Sequence, residues 1–369
     1  MTTDALTGGN GLVEDVAELV GCESPSRDLD AVQRCADVVE ALALRRIGSA
    51  PHRVMVGDRV HLRWTFGRPR VVLLGHLDTV WPLGTLARWP FERDGDRLTG
   101  PGVFDMKAGL VQLFAALQSL DDLDGVGVLV TSDEEIGSTS SQRLIEDTCR
   151  GAAAALVLEP SAGGALKVAR KGLAMYRLDV VGRASHAGLE PHAGVNATVE
   201  TAHQVLAVAG LARPELGTTV TPTVVSGGST VNTVPAAATL AVDVRAETSA
   251  ELRRVEDALQ SLTPRLPGAS VKAVAESVRQ PLERRASAGL FDRVQRHATA
   301  LGLGPLDGIA VGGGSDGNLT AAIGVPTLDG LGAVGGNAHA EGEWAEVGAL
   351  AARTALVAAL ARDLLEETR

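Results

Sequence analysis

The chain has 369 residues, of which 45% are hydrophobic and 21% are charged, as in folded globular proteins and unlike disordered or fibrous ones. This length predicts two domains or one large α/β unit. The 34 basic and 45 acidic residues give a formal net charge of −11, and no basic block occurs, so nucleic acid is not an expected partner.

Three local features concern the cellular location. The first ten residues, MTTDALTGGN, contain no basic residue and no apolar core, so they do not resemble a secretory signal. The most apolar stretch, near the C terminus, is interrupted by Arg353 and Arg362, which predicts a packed helix and not a membrane span. Cys22, Cys35 and Cys149 form no CxxC pair, so neither a disulfide framework nor a thiolate zinc site is expected. We therefore predict a cytoplasmic protein that does not enter a membrane.

The first part of the chain alternates helical and strand patterns. Helical periodicity covers residues 11–20 and 29–44. Apolar runs typical of strands follow in RVHLRWTF, PRVVLLGHLD, GVGVLVTSDEE and AAALVLEPS, with the helical segment GLVQLFAALQSL between the second and the third. Strands that alternate with helices predict an α/β fold, with a mostly parallel sheet and helices on both faces.

The pattern changes at Leu166. Residues 166–280 show strands and helices in the order βαββαβ, which predicts an α+β ferredoxin-like sandwich. After about residue 280 the chain returns to a helix, a glycine-rich stretch and a last amphipathic helix. We therefore predict one α/β domain formed by residues 1–165 and 281–369, into which residues 166–280 are inserted as a smaller domain.

A histidine and a carboxylate follow one predicted strand. The segment VVLLGHLDTV ends in His76 and Asp78, whose side chains share a face because residues alternate along a strand. Ligands gather at the carboxyl ends of strands in open parallel sheets. A single histidine in such a place is more often a hydrogen-bonded structural residue, so the argument needs further residues.

Carboxylates from other segments are predicted to reach the same edge. Asp105 lies in the loop GPGVFDMKAG, the next strand ends in the acids of residues 133–135, and a further strand ends in Glu159. Acids gathered there would repel one another without cations. Histidine and carboxylate ligands without thiolate suit Zn²⁺ and tolerate Mn²⁺ or Co²⁺. The number of ligands indicates two ions.

Five ordered motifs resemble a known family. GHLDTV, GPGVFDMKAG, DEEIG, LEPS and ASHAG are similar to those of the co-catalytic zinc amidohydrolases, which include glutamate carboxypeptidase, acetylornithine deacetylase and succinyl-diaminopimelate desuccinylase. The segment WPF at residues 89–91 and the stretch before the last histidine most resemble bacterial glutamate carboxypeptidases. The resemblance implies that residues 1–165 and 281–369 form a di-metal catalytic domain and that residues 166–280 form a lid and dimerisation domain.

The resemblance also implies a set of metal ligands. His76 and Glu159 would bind one metal, Glu135 and His339 would bind the other, and Asp105 would bridge the two. Two zinc ions per subunit are expected, which Mn²⁺ or Co²⁺ could replace.

Two further acids carry catalytic expectations. Asp78 would hold the imidazole of His76 and fix its tautomer. Glu134, beside the ligand Glu135, is predicted to be the general base, which takes a proton from water and passes it to the leaving nitrogen. The alternative for Glu134 is a solvated acid beside a ligand.

Five residues are candidates for substrate binding. The resemblance implies that His186 in GRASHAG reaches the active site of the partner subunit, and that Asn232 and Arg245 contact a carboxylate or amide of the substrate. Gly313 and Gly314 lie in GGGSDGN, a loop whose backbone amides can meet a carboxylate. The alternatives are an ordinary loop residue for His186 and an edge-strand charge for Arg245.

These residues favour a metal-dependent hydrolase and homodimer that cleaves an amide next to a free carboxylate. Its small acyl-amino-acid or peptide substrate would release a C-terminal amino acid such as glutamate. The alternative is an N-acyl amino acid deacylase, because pocket residues and not metal ligands decide the substrate. A noncatalytic binding relative is less favoured. So is a dinucleotide-binding oxidoreductase, because GLGAVG at residues 330–335 lacks the following helix and the acidic residue of that motif.

Overall fold

The computed structural model describes residues 9–367, which divide into two compact units. The first unit comprises the described residues up to Ala169, Arg284–Val311 and those from Ser315 onward. The second comprises Arg170–Glu283 and Gly312–Gly314. Residues 1–8, which carry most of the argument against a secretory signal, lie outside the described part of the chain.

The helices of the described residues are α1 (Gly9–Val20), α2 (Leu29–Ile47), α3 (Thr85–Arg88), α4 (Ala108–Gln118), α5 (Gln142–Cys149), α6 (Ala197–Ala209), α7 (Ser249–Gln260), α8 (Arg284–Ala300), α9 (Asp316–Ala322) and α10 (Val347–Glu367).

The strands are β1 (His52–Val56), β2 (Arg59–Thr65), β3 (Val71–His76), β4 (Glu92–Asp94), β5 (Arg97–Thr99), β6 (Val126–Thr131), β7 (Ala154–Val157), β8 (Leu166–Arg170), β9 (Gly172–Val181), β10 (Ser185–His186), β11 (Thr219–Gly227), β12 (Thr233–Val234), β13 (Ala237–Ala246), β14 (Ser270–Arg279), β15 (Gly308–Val311), β16 (Thr327–Leu328), β17 (Gly335–Gly336) and β18 (Trp344–Glu346).

The central sheet of the first unit has six strands in the order β1-β2-β6-β3-β7-β16. The four strands from β6 to β16 run parallel, and the β1-β2 pair adds antiparallel strands at one edge. Every residue of β3, β6 and β7 is buried, as expected for parallel strands covered on both faces. The predicted α/β fold with a mostly parallel sheet is confirmed.

Alternate residues of β3 enter two different hydrophobic cores. Val71 and Leu73 pack into the larger core with helices α1, α2, α4 and α10. Val72 and Leu74 pack into a smaller core with α5 and residues around α9. Alternation along the strand therefore gives each face of the sheet its own helical layer.

Two glycines allow other segments to approach the backbone just after β7 closely. A side chain at Gly109 of α4 would place its first carbon 2.2 Å from the carbonyl oxygen of Leu158, and a side chain at Gly332 would meet the same oxygen at 2.2 Å. Since real contacts of this kind are never so short, any larger residue would push these segments away from the end of β7.

The second unit contains a four-stranded antiparallel sheet in the order β11-β13-β9-β14. Helix α6 packs on β11 and β13, and α7 packs on β13 and β9. With the connections β9-α6-β11 and β13-α7-β14, this is the predicted ferredoxin-like arrangement. The unit begins at Arg170, a few residues after the expected boundary, because β8 pairs with β15 of the first unit.

Within residues 9–367, none of the helices combines the length and the apolar composition that crossing a membrane requires. The apolar stretch near the C terminus forms α10, whose residues Leu356, Val357 and Leu360 are fully buried in the larger core.

Candidate metal centre

The candidate ligands lie at one edge of the central sheet. His76 is the last residue of β3, Glu134 and Glu135 follow β6, and Glu159 follows β7. These three strands are parallel neighbours, so their carboxyl ends meet at the same edge. The loop before α4 brings Asp105 to this edge, and the loop between β17 and β18 brings His339. All six residues belong to the first unit.

One oxygen of Asp105 faces His76. The Nε2 atom of His76 lies 3.3 Å from Oδ1 of Asp105 and 3.4 Å from Oε1 of Glu159. We call these three side-chain groups the first half-site. His76 is buried, and the side chains of Asp105 and Glu159 are only 13% and 9% exposed.

The other oxygen of Asp105 faces His339. The Nε2 atom of His339 lies 3.3 Å from Oδ2 of Asp105 and 3.2 Å from Oε2 of Glu135. We call these groups the second half-site. It is more open than the first, because half of the His339 side chain is exposed. The structure thus joins the five predicted ligands, with Asp105 common to both half-sites.

The spacing of these atoms fits metal ions. Two ligand atoms bound to a tetrahedral zinc at 2.0–2.1 Å lie about 3.3–3.4 Å apart, which matches the separations of 3.2–3.4 Å in both half-sites. His76 Nε2 and Asp105 Oδ1 are buried and have no hydrogen bond of normal geometry within the described residues. A cation between them would satisfy both, since buried polar atoms in proteins are rarely left unpaired.

The electrostatics of the centre indicate an excess of negative charge. Burial and the charge of Glu159 raise the pKa of the Glu134 carboxyl well above its usual range. Burial also raises the pKa of Glu135, although His339 opposes the shift. The carboxylates of Asp105 and Glu135 raise the pKa of His339 to about 10. Groups that retain protons in this way are typical of carboxylate clusters that bind cations.

Asp78 has a different set of contacts from the one predicted. The Nδ1 atom of His76 lies 2.9 Å from the main-chain carbonyl oxygen of Asp78 and 3.6 Å from its carboxylate. The carboxylate instead accepts the backbone N–H groups of Glu134 at 3.3 Å and Glu135 at 3.2 Å, and the hydroxyl of Ser26 at 2.7 Å. Asp78 therefore orients the imidazole of His76 through its backbone carbonyl, and it orients Glu134 and Glu135 through its side chain.

The three consecutive acids after β6 have three different surroundings. Asp133 is fully buried, and its carboxylate accepts hydrogen bonds from Ser140 and Ser141, which makes it a structural residue. Glu135 belongs to the second half-site. Potential ligand atoms of Glu134 lie within 4.8 Å of those of His76 and Glu159, so Glu134 borders the first half-site.

Two residues of the centre were not predicted. The Nζ atom of Lys167 lies 3.6 Å from Oε2 of Glu159, and nothing in the strand pattern around Lys167 indicated this contact. Glu343 is fully buried behind the Asp105 loop and accepts the backbone N–H of Asp105 at 2.8 Å. The only sequence feature that could have indicated Glu343 was its position four residues after the predicted ligand His339.

His186 and Asn232 lie together in the second unit. Strands β10 and β12 pair His186 with Thr233, and the backbone N–H of Ala187 donates to the carbonyl of Asn232 at 2.9 Å. The Nδ1 atom of His186 accepts the N–H groups of Gly188 and Leu189. A neutral imidazole then has its proton on Nε2, which makes Nε2 a hydrogen-bond donor.

Arg245 lies far from this pair. It is near the end of β13, whose ten residues begin just after β12, so about 30 Å of strand separates it from Asn232. Its guanidinium forms an ion pair with Asp243 at 3.0 Å. Because β13 is an inner strand of its sheet, Arg245 is not an edge-strand charge.

Gly313 and Gly314 belong to a short segment that groups with the second unit. Their carbonyl oxygens each accept a hydrogen bond of 3.1 Å from Nη1 of Arg170, which is itself buried. A side chain at Gly313 would meet no atom within 4 Å. This glycine therefore borders open space.

The chain matches the sequence model of peptidase family M20/M25/M40 over residues 72–363. It is 30% identical to carboxypeptidase G2 of Pseudomonas sp. (strain RS-16), over 96% of this chain and 89% of that protein. It is 29% identical to the succinyl-diaminopimelate desuccinylase of Rhodospirillum centenum, over 48% of this chain and 51% of that protein.

The fold is also similar to that of solved structures. The aminopeptidase PepT from Bacillus cereus superposes with a TM-score of 0.77 and 20% identity, over 98% of this chain and all of that one. At this identity the likeness shows the fold. Together with the sequence matches, it confirms the resemblance on which the ligand assignment was based.

Proposed function

The chain belongs to peptidase family M20/M25/M40, and we propose that it is a two-zinc hydrolase that cleaves an amide next to a free carboxylate. The bond cleaved would release a C-terminal amino acid such as glutamate. The observation that carries this proposal is that the two oxygens of Asp105 face two different histidines, each with its own glutamate.

The two half-sites are suited to hold the metals. His76 and Glu159 would hold one ion, His339 and Glu135 the other, and Asp105 both. Bound zinc would supply a Lewis acid that polarises the amide carbonyl and acidifies a water molecule. Asp78 contributes by orienting His76 and the loop of Glu134. Mn²⁺ or Co²⁺ could replace zinc with this ligand set.

Glu134 is the proposed general base. Its carboxyl group borders the first half-site, and burial together with Glu159 raises its pKa. A carboxylate whose pKa is raised above that of an ordinary glutamate is a stronger base towards water. Glu134 would therefore transfer the proton between the attacking water and the amide nitrogen.

The proposed substrate contacts require two copies of the chain. His186 and Asn232 lie about 30 Å of strand away from Arg245, so one second unit does not present all three to one small substrate. We propose that a homodimer supplies His186 and Asn232 from one subunit, and Arg245 with Gly313 and Gly314 from the other. The Nε2 atom of His186 would donate to the oxygen on which negative charge develops.

Exposed apolar residues of the second unit support the dimer. Strand β11 is an edge strand, and its residues Val224 and Val225 are 62% and 54% exposed. The neighbouring helix α6 exposes Leu206 by 75% and Val199 by 43%. A long apolar edge strand is usually covered by another chain or element, and a second copy would cover it symmetrically.

A second candidate function is N-acyl amino acid deacylation. The sequence match to the desuccinylase of Rhodospirillum centenum favours it, and the same metal centre would serve either reaction. Both reactions cleave the amide between an acyl group and the nitrogen of an amino acid, and they differ in which acyl and amino-acid groups the pocket residues accept.

Metal analysis combined with a substrate panel tests the proposal. The protein would be purified without chelator, analysed for metal, and assayed with acyl-glutamates, a benzoyl-glutamate of the folate type, N-acetyl and N-succinyl amino acids and dipeptides. Two zinc ions per chain with release of glutamate would support the carboxypeptidase function. Activity only on acetyl or succinyl amino acids would support the deacylase.

The assay needs a control for adventitious metal. Asp105→Asn retains the size of the side chain but weakens both half-sites, so it is expected to lose both ions and all hydrolysis. If the unmodified chain binds no metal and hydrolyses none of the panel, the proposed function is wrong.

A further inference from the structure

Glu343 has a buried carboxylate that accepts four hydrogen bonds from N–H groups. It is fully buried. One oxygen accepts the backbone N–H groups of Phe104 and Asp105, both at 2.8 Å. The other accepts the backbone N–H of Gly102 at 3.0 Å and the indole N–H of Trp81 at 2.8 Å. A buried charge is costly unless it is satisfied in this way.

Three of these donors belong to the loop that carries Asp105. Gly102, Phe104 and Asp105 direct their amide groups towards the same carboxylate, so the path of the loop depends on the position of Glu343. Hydrogen bonds to an ionised acceptor are short and strong. Since the side chain of Asp105 is shared by both half-sites, an error in the loop would displace a ligand of each.

The same residue is connected to His339. The backbone N–H of Ala340 donates to the carbonyl of Asn337 at 3.0 Å, and that of Glu343 donates to Ala340 at 3.1 Å. These two backbone hydrogen bonds form consecutive tight turns, so the segment from His339 to Glu343 is short and internally bonded. His339 also has a φ of 62°, a left-handed conformation that residues other than glycine adopt only when their surroundings impose it.

We propose that Glu343 is a positioning residue that sets the spacing between Asp105 and His339 and thereby the metal affinity of the second half-site. The inference rests on the proposed two-metal function. Glu343 contacts neither half-site through its side chain and acts through the backbone of Asp105. An apolar side chain in this position could fill the same space, but it would leave the three amide groups of the loop without an acceptor. The carboxylate is therefore needed for its hydrogen bonds and not for packing.

The test compares Glu343→Gln with Glu343→Asp and with a matched control, Glu341→Gln, which changes an exposed carboxylate two residues earlier. Glutamine has one oxygen in place of two and adds an N–H group that faces other donors. We expect zinc affinity to fall about 10-fold to 100-fold at the second half-site, and to change less at the first. Glu343→Asp should recover part of the loss, and Glu341→Gln should show none.

A second readout does not depend on metal. Hydrogen exchange of metal-free protein, followed in peptides that cover residues 101–106, should be faster in Glu343→Gln than in the unmodified chain and unchanged in Glu341→Gln. The loaded Glu343→Gln enzyme should have a kcat lowered at least tenfold, with little change in KM, because the substrate contacts are elsewhere.

Each outcome decides the inference. Unchanged exchange in Glu343→Gln, or unchanged zinc affinity at the second half-site, would overturn the positioning role. If Glu343→Gln fails to fold, amide exchange and zinc affinity at the second half-site are measured on Glu343→Asp instead. This variant keeps the charge and changes only the reach of the carboxylate, so unchanged values would overturn the positioning role in the same way. Absence of metal from the unmodified chain would overturn the proposed function and this inference together, and is measured before any variant.

Discussion

The backbone N–H of Glu135 donates to the carboxylate of Asp78 at 3.2 Å. The preceding residue, Glu134, donates to the same carboxylate. The end of β3 is therefore bonded to the loop after β6, and one side chain determines where both acids lie. The backbone carbonyl of Asp78, and not its carboxylate, is the nearer acceptor for Nδ1 of His76.

This arrangement predicts the effect of Asp78→Ala. The variant keeps the carbonyl that orients His76 but leaves the N–H groups of Glu134 and Glu135 without their acceptor. We expect kcat to fall about 100-fold, by analogy with the loss of other residues that support metal ligands. Zinc should weaken more at the second half-site than at the first.

Parallel metal titrations and steady-state kinetics would check this. Asp78→Asn should lie between Asp78→Ala and the unmodified enzyme, because one oxygen remains. Ser26→Ala removes another donor to Asp78 and should have a small effect. Equal weakening of both half-sites in Asp78→Ala would contradict the division of roles.

Glu134 and Glu135 should respond differently to substitution. Glu134→Ala is expected to retain both metals and to lose nearly all activity, because general-base catalysis contributes about 10²–10⁴-fold. Glu135→Ala is expected to lose the metal of the second half-site, because a ligand is removed. Elemental analysis beside kcat measurements separates the two, and equal metal loss in both variants would mean that their roles are misassigned.

His186→Ala should lower turnover far more than metal content, since His186 belongs to the second unit and the proposed metal ligands all belong to the first. Mixing it with inactive Glu134→Ala tests whether His186 acts across subunits. If it does, mixed dimers contain one site with both changes and one intact site, so roughly a quarter of the sites should be active. No recovered activity after exchange of subunits would contradict a role in the partner's site.

The pH dependence of stability should include a contribution from Glu251. Its hydrogen bonds to Arg254, opposed by burial and assisted by Thr218, lower its pKa from 4.5 to about 2. The folded state therefore favours the ionised form. This stabilisation is complete above the unfolded pKa of 4.5 and is lost as the pH falls towards 2.

Glu251→Gln should reduce the free energy of unfolding by about 1–3 kcal/mol at pH 7. The difference in Tm between the variant and the unmodified chain should shrink as the pH falls from 7 to 3, which calorimetry at several pH values would measure. A difference that stays constant over this range would show that the ionised Glu251 does not contribute.

Much of this molecule follows from local sequence patterns. Continuous apolar runs predicted β3, β6 and β7, because strands buried on both faces need apolar residues at every position. The motifs that end these strands indicated His76 and Glu159 as ligands, because parallel strands necessarily bring their carboxyl ends to one edge. The order βαββαβ likewise predicted the sheet of the second unit.

Other relationships depended on the tertiary structure. Apart from the family resemblance, nothing in the run Asp133, Glu134, Glu135 separates the three acids. Their surroundings do, because Asp133 accepts hydrogen bonds from serines, Glu134 borders the first half-site and Glu135 lies beside His339. The acceptor role of Glu343 is also decided by contacts between segments remote in the chain. Local patterns specify elements and their ends, whereas the direction of a side chain beyond a strand end depends on packing against elements elsewhere in the sequence.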